Sequence, residues 1–167
     1  FLEKIGLLGY ENTFSVNKSE VINTSNNSEI LFRGIKTSAG NQTGNLKSLM
    51  GINTFILDEA EELVDETIFD TIDLSIREKT TQNRVVLILN PTTKEHWIYK
   101  RFFEQRGVEA GFNGVKDNIC YIHTNYLDNK DNLSTSFLER VEDIKHNNFK
   151  KYNHSILGSW LAKAEGV

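Results

Sequence analysis

Short apolar runs alternate with amphipathic stretches over most of the chain that follows residue 52. Apolar strands are predicted at 53–57, 84–89 and 119–123, and helices with apolar positions three to four residues apart separate them. Unbroken apolar strands that alternate with helices are typical of a parallel sheet covered on both faces. The pattern therefore predicts an α/β fold with a mostly parallel sheet.

Polar residues at capping positions predict where the first two of these helices begin. Asp65 can cap a helix whose apolar positions Val64, Ile68, Ile72 and Ile76 recur every four residues, with Phe69 beside them. Thr92 and Glu95 have capping-box spacing before a second helix, which carries Ile98, Phe102 and Phe103.

Two further helices are predicted towards the end of the chain. Ser134 or Ser136 begins the first, with its inward side chains expected at Phe137, Val141 and Ile144. The second runs from about residue 148 to residue 157 and stops before Gly158, since glycine is the usual residue after a helix end.

The first third of the chain has shorter elements. Residues 1–9 resemble the end of a helix closed by Gly9, and short strands are predicted at 13–16, 20–22 and 29–33. Residues 36–47 are rich in Gly, Asn, Thr and Ser without an apolar period, which predicts a surface loop.

Composition limits the kinds of function. With 38% hydrophobic and 25% charged residues among 167, the chain has the composition of a soluble globular domain. The net charge of −4 gives no global basic field, so contact with nucleic acid would need a local patch. A single cysteine, Cys120, excludes an intrachain disulfide and a cysteine-based zinc site. No apolar run approaches the roughly 20 residues that span a bilayer, so no membrane association is expected.

Two adjacent carboxylates, Asp58 and Glu59, end the first of these apolar strands. In nucleotide-hydrolysing P-loop enzymes a buried strand delivers an Asp to the Mg²⁺ shell in this way, and the next Glu orients or deprotonates water. The alternative interpretation is that both are solvated and, with Glu61 and Glu62, open an acidic helix N-terminus.

Two other polar residues also follow predicted strands. Asn90, before Pro91, ends the strand after the acidic one and can hydrogen-bond a γ-phosphate or the attacking water; an Asn-Pro turn that closes a strand is the alternative. Arg33 follows the 29–33 strand and can contact a phosphate, although an Arg with a structural role has the same pattern.

Several sequence blocks, taken in order, resemble the large subunit of tailed-phage terminase. The similarity extends over about residues 1–167, and the acidic block is generic, whereas the blocks at 96–103 and 122–126 are more specific to that family. The blocks are Glu29-Ile30-Leu31-Phe32-Arg33-Gly34, Gly51-Ile52-Asn53, Asp58-Glu59-Ala60-Glu61-Glu62-Leu63, Leu89-Asn90-Pro91-Thr92, His96-Trp97-Ile98-Tyr99-Lys100-Arg101-Phe102-Phe103, Ile122-His123-Thr124-Asn125-Tyr126 and Leu157-Gly158-Ser159-Trp160.

The resemblance implies a fold and an activity. The fold would be a three-layer P-loop NTPase-type core, and the activity would be ATP-driven pumping of double-stranded DNA into a procapsid, with ATP and Mg²⁺ as cofactors. By position, Asp58 would belong to the Mg²⁺ site and Glu59 would be the catalytic carboxylate. Asn90 would lie in the motif that couples hydrolysis to movement, and Arg33 would be a candidate contact to the nucleotide.

The same resemblance implies partners and a domain order. The partners would be DNA, a portal protein, the terminase small subunit and further copies in a ring on the procapsid, in the cytoplasm of a bacterial host. Residues 1–157 would be part of the ATPase domain, and 158–167 would lead towards a nuclease domain.

The chain departs from the family pattern at the phosphate loop. The motif G-x-x-x-x-G-K followed by Ser or Thr is absent, so the sheet is expected to lack the phosphate-loop strand, and these residues alone are expected to be inactive. Two alternatives remain. One is a helicase fragment, because Asp58-Glu59-Ala60-Glu61 matches the acidic box of such enzymes; the other is a non-catalytic remnant that docks on a portal or capsid.

Overall fold

The computed structural model describes residues 2–34 and 51–162, and the chain divides into two units, residues 1–42 and 43–167. The loop predicted at 36–47 lies outside the described residues. The two units have separate sheets, and the strand-end carboxylates belong to the second unit.

The first unit combines one short helix with a three-stranded antiparallel sheet. Its elements, all close to the predicted positions, are α1 (Leu2–Leu7), β1 (Phe14–Val16), β2 (Glu20–Asn23) and β3 (Glu29–Leu31). The strand order is β1-β2-β3, and Val21 on the central strand is buried. Gly9 has a φ of 72°, which confirms that a glycine in the left-handed region follows the helix.

The second unit contains the remaining strands and helices. In chain order they are β4 (Thr54–Leu57), a 3₁₀ turn (Ala60–Glu62), α2 (Glu66–Asp73), β5 (Arg84–Leu87), α3 (Trp97–Tyr99) continuing as a π-helix (Lys100–Glu104), β6 (Gly114–Lys116), β7 (Ile119–Tyr121), a kinked 3₁₀ segment (Tyr126–Asn132), α4 (Thr135–Asn147), and α5 (Phe149–Lys151) continuing as a π-helix (Tyr152–Ile156).

Strands β4 and β5 are parallel, as predicted, and Leu57 pairs with Leu87 at their carboxyl ends. Only one face of this pair is covered, because Ile56 and Ile88 on the other face are 59% and 51% exposed. Successive strand residues point to opposite faces, so the apolar run at 53–57 has an exposed side as well as an inner one. The expectation of a sheet covered on both faces is therefore wrong for the described residues.

The strand predicted at 119–123 exists, but it does not extend the parallel sheet. It forms β7, which pairs antiparallel with β6 in a hairpin. Its turn contains Asp117 with a φ of 54°, a conformation that Asp tolerates better than most residues. Among the described residues the β4–β5 pair is the one parallel sheet, so the predicted α/β class is confirmed, whereas a larger, mostly parallel sheet is not.

The predicted cap of α2 is confirmed, since the Asp65 side chain accepts a hydrogen bond from the Thr67 N–H. The capping box predicted at Thr92 and Glu95 is wrong, because α3 begins at Trp97 and its cap is His96. Thr93 instead forms a parallel bridge with Leu161, which donates to the Thr92 carbonyl and accepts from the Lys94 N–H, both at 2.9 Å.

The two predicted C-terminal helices are present. Ser134 caps α4, and Val141 is buried, whereas Phe137, expected to point inward, is 37% exposed. Asn148 caps the last helix, and Gly158 follows it with a φ of 69°.

Aromatic side chains form much of the core of the second unit. Trp97 packs against Phe69 of α2 with ring centroids 4.8 Å apart, and both rings are buried. A second aromatic group connects the helical segment that begins with α3 to the end of the described chain. In it, the Trp160 ring centroid lies 5.3 Å from that of Tyr99 and 5.8 Å from that of Phe103. The segment after β5 is thereby fixed from two sides.

Candidate functional site

The site is built where β4 ends and the chain turns. Asp58 follows Leu57 directly, and its Oδ1 accepts a hydrogen bond from the Glu59 backbone N–H at 3.1 Å. Both carboxylates are exposed. Because the carboxyl ends of parallel strands form the ligand-binding edge of an α/β sheet, the pair lies where sequence analysis expected it.

Glu59 has an unusual backbone conformation. Its φ and ψ of 52° and 45° lie in the left-handed helical region, which costs a non-glycine residue about 1 kcal/mol or more. Such backbone strain concentrates at functional sites. Glu59 is the residue before the 3₁₀ turn, so the left-handed conformation is what reverses the chain after the strand.

The turn after Glu59 is attached to the neighbouring strand. Ile88 donates its N–H to the Leu57 carbonyl at 2.9 Å, which extends the parallel ladder, and its own carbonyl accepts from the Ala60 N–H at 2.9 Å. Ala60 is completely buried, and a larger side chain would not fit without rearrangement. These bonds hold the turn that contains the carboxylates against the end of β5.

Asn90 lies two residues beyond Ile88 and donates from its side-chain Nδ2 to Glu61 Oε1 at 3.2 Å. The structure therefore brings Asp58, Glu59 and Asn90 to one edge of the β4–β5 pair. The partner of Asn90 is Glu61, a residue that sequence analysis considered only as a solvated carboxylate. Glu61 Oε2 is buried and accepts no hydrogen bond from any described residue.

The start of α3 holds the same turn from the other side. The Nδ1 atom of His96 accepts from the Ile98 N–H at 3.3 Å, so its Nε2 carries the hydrogen and donates to the Glu61 carbonyl at 3.1 Å. The indole N–H of Trp97 donates to the Leu63 carbonyl. His96 was not predicted as a contact to the acidic turn, because the spacing of this histidine carries no signal for it.

Arg101 secures the helical segment after α3 to α2, close to this turn. Its guanidinium donates to Glu66 Oε1 at 3.0 Å and to Asp70 Oδ1 at 2.6 Å, and it lies over the Phe69 and Phe102 rings. Burial alone would lower the pKa of Arg101, but the hydrogen bonds and charges of Asp70 and Glu66 outweigh it and raise the pKa. The cation is thus a structural connection between two helices.

Arg33, the predicted contact to the nucleotide, belongs to the first unit. It donates to the backbone carbonyls of Ser19 at 3.2 Å and Phe32 at 2.8 Å. These bonds hold the Arg33 side chain against the end of β3, and its contact with a nucleotide stays a prediction.

The described residues contain no preformed metal site. Within 2–34 and 51–162, no group of three or more His, Cys, Asp or Glu residues is arranged to hold a metal ion. A strand-end carboxylate is nevertheless a fitting ligand for Mg²⁺, which is commonly bound by one or two carboxylates together with water and substrate phosphates. The donor set of Asp58 and Glu59 therefore fits a metal that enters with a phosphate ligand.

None of the helices in the described part of the chain is long and apolar enough to cross a membrane.

The sequence and the fold of this chain are both similar to those of phage large terminases. The sequence pattern of a family described as phage terminase large subunit matches residues 1–159. No curated protein matches. Among solved structures, the large terminase from a thermophilic bacteriophage is similar, with a TM-score of 0.65 and 14% sequence identity. The alignment covers 96% of this chain and 37% of that protein, so the chain spans little more than a third of the length of that relative.

Proposed function

This chain belongs to the phage terminase large subunit family, and from that premise we propose that it forms part of an ATP-driven motor that packages double-stranded DNA. The observation that carries the proposal is the carboxylate pair at the end of β4, with Glu59 in a strained backbone conformation, at the same edge as Asn90, which follows the adjacent parallel strand β5. The fold of a large terminase is consistent with it.

Each of the three polar residues has a chemical role in this proposal. Asp58 provides an oxygen ligand or a water-mediated contact to Mg²⁺, which supplies charge neutralisation for the phosphates when it is bound. Glu59 is exposed, and its left-handed backbone directs the side chain differently from Asp58; it orients the attacking water and accepts its proton. Asn90 senses the γ-phosphate or that water through its side-chain amide.

The phosphates themselves must be held by groups outside these 167 residues. Phosphate loops use successive backbone N–H groups and a Lys, and no such motif occurs in the sequence. We therefore assign this chain to a P-loop NTPase-type core that is completed by other parts of the protein, and expect these residues alone to hydrolyse no ATP. Residues 158–167 would lead towards a nuclease domain.

The proposal includes the partners of a packaging motor. They are double-stranded DNA, a portal protein, a small subunit and further copies of the large subunit in a ring, acting in the cytoplasm of a bacterial host. With a net charge of −4, the chain has no overall attraction for DNA, so its own DNA contacts would be local.

The test is Glu59→Gln in the full-length gene product, with Mg²⁺-ATP binding and hydrolysis measured separately. We expect binding to be unchanged and kcat to fall about 10²-fold or more, because the amide cannot accept the proton. Glu62→Gln is the matched control: Glu62 is an exposed carboxylate in the same turn, and it should retain the parent kcat.

Normal turnover by Glu59→Gln would contradict the role of Glu59. If the unchanged full-length protein neither bound nor hydrolysed ATP, the docking interpretation of the fragment would replace the motor. If the 167-residue chain alone hydrolysed ATP, the proposed location of the phosphate site would be wrong.

A further inference from the structure

Glu61 connects three elements of the candidate site through different atoms. Its Oε1 accepts from Asn90 beyond β5, at 3.2 Å, and its carbonyl accepts from His96 at the start of α3, at 3.1 Å. Glu61 itself lies in the 3₁₀ turn that begins immediately after Glu59. Among the described residues, no other hydrogen bond joins the side chain of Asn90 to this turn.

One oxygen of the Glu61 carboxylate, Oε2, is buried without a donor among the described residues. Burial of a carboxylate oxygen without a donor is unfavourable. A residue selected for stability alone would be an apolar side chain or an amide with matched donors. This unfavourable oxygen indicates that Glu61 is present for the hydrogen bond that its Oε1 accepts from Asn90.

We propose that Glu61 is a positioning residue that fixes the Asn90 amide for its role at the nucleotide, an inference that rests on the proposed function of Asn90. Asn90 is exposed and lies two residues beyond Ile88, where the ladder ends, so its rotamer is not set by packing. The hydrogen bond to Oε1 fixes the amide plane, so that one of its Nδ2 hydrogens is occupied and Oδ1 has a defined direction. Asn90 is thereby pre-organised before the ligand binds.

The test uses the full-length protein and four variants. Glu61→Gln keeps an acceptor at the same position, and we expect kcat within about threefold of the parent. Glu61→Leu removes the acceptor, and we expect kcat to fall about tenfold or more while KM for ATP changes less than about threefold. Asn90→Asp places two carboxylates against each other and should show a similar loss. The double variant Glu61→Gln with Asn90→Asp exchanges donor and acceptor, so it should restore the contact but not turnover, because a carboxylate cannot replace the Asn90 amide at the nucleotide.

Thermal unfolding and hydrogen–deuterium exchange give readouts that do not depend on activity. A purely structural role predicts that Glu61→Leu lowers the melting temperature; positioning predicts an equal or higher one, because the unfavourable buried oxygen is gone. Exchange should increase in the segment 89–94 of Glu61→Leu and remain unchanged in α4. Glu62→Leu, one residue along, should change neither kcat nor exchange at 89–94.

The outcomes separate this inference from the proposed function. If Glu61→Leu leaves exchange at 89–94 and kcat unchanged, Glu61 does not position Asn90. If exchange rises but kcat is unchanged, the positioning role in the reaction is overturned although the contact exists. A Glu59→Gln variant with normal turnover would refute the proposed function itself, and the exchange data would then still decide the Glu61–Asn90 contact.

Discussion

The backbone N–H of the buried Ala60 donates to the carbonyl of Ile88 at 2.9 Å, across the ends of two parallel strands. Ala60 follows the strained Glu59, and Ile88 precedes Asn90 by two residues. One hydrogen bond therefore sets the spacing between the turn that holds the carboxylates and the loop that holds the amide. Local changes at either strand end are expected to affect both.

Asp58→Asn should impair Mg²⁺-dependent hydrolysis without loss of the fold. The amide oxygen can still accept from the Glu59 N–H, whereas the negative charge that attracts the cation is removed. We expect the Mg²⁺ concentration for half-maximal hydrolysis by the full-length protein to rise about tenfold or more. Asp131→Asn changes another exposed carboxylate and serves as control; equal Mg²⁺ dependence in both variants would contradict the role of Asp58.

Glu59→Gly should separate stability from activity. Glycine adopts the left-handed conformation without the steric cost, so the free energy of unfolding should stay equal or rise by up to about 1 kcal/mol while hydrolysis is lost. Glu62→Gly, in the same turn but without a positive φ, should instead lower it by about 0.5 to 1 kcal/mol. Chemical denaturation measures both; the same loss of stability in the two variants would show that Glu59 is not strained.

Much of the local structure was predictable from the sequence, because caps and strand ends depend on neighbouring residues. Asp65, Ser134 and Asn148 begin helices as expected, and the Asp58-Glu59 pair ends a parallel strand. The failures involve distant residues. Pairing of Thr93 with Leu161 takes the place of the predicted capping box, and only a tertiary contact could show this.

The candidate site was predictable only in part for the same reason. The strand-end position of Asp58, Glu59 and Asn90 follows from apolar runs that stop at polar residues. The contact between Glu61 and His96 could not be predicted in this way, since 35 residues separate the two and neither has a local pattern that indicates a partner. The hairpin of β6 and β7 was missed because a short apolar run is compatible with either direction of pairing.

Arg101→Met should destabilise the protein more than loss of an ordinary surface ion pair. Methionine retains the apolar stem but loses the bonds to Glu66 and Asp70 and the contact with the Phe69 ring. Because both acidic partners are nearly half exposed, we expect a loss of only about 1 kcal/mol in the free energy of unfolding. Lys145→Met, which removes the exposed pair with Glu142, should cost less than about 0.5 kcal/mol. Equal effects would show that Arg101 is an ordinary surface cation.

Tyr126 should make stability depend on alkaline pH. Its hydroxyl shares a hydrogen bond of 3.1 Å with Tyr152, which, with burial and nearby charge, raises the pKa of Tyr126 from 10.0 to about 12. The fold thus favours the protonated phenol. The contribution of Tyr126 to the free energy of unfolding is complete below about pH 10, declines as pH rises and is lost above about pH 12. Tyr126→Phe should lose less stability than the parent between about pH 10 and pH 12, measured by denaturation at each pH.

The matched control for this experiment is Tyr10→Phe, which alters a phenol that is 53% exposed in the first unit. It should keep the parent's decline over the same pH range. An identical pH dependence in Tyr126→Phe and the parent would exclude the Tyr126–Tyr152 bond as its source.

The pairing of Leu161 with Thr92 and Lys94 has a mechanical consequence. Two backbone hydrogen bonds join the loop after β5 to the segment that follows Trp160. Tension applied to the chain beyond Ala162 would therefore reach Pro91 across these bonds, without passing through the helices that lie between them in sequence. Conversely, a small shift of the loop would pull directly on that segment, so the loop and the segment are expected to move together.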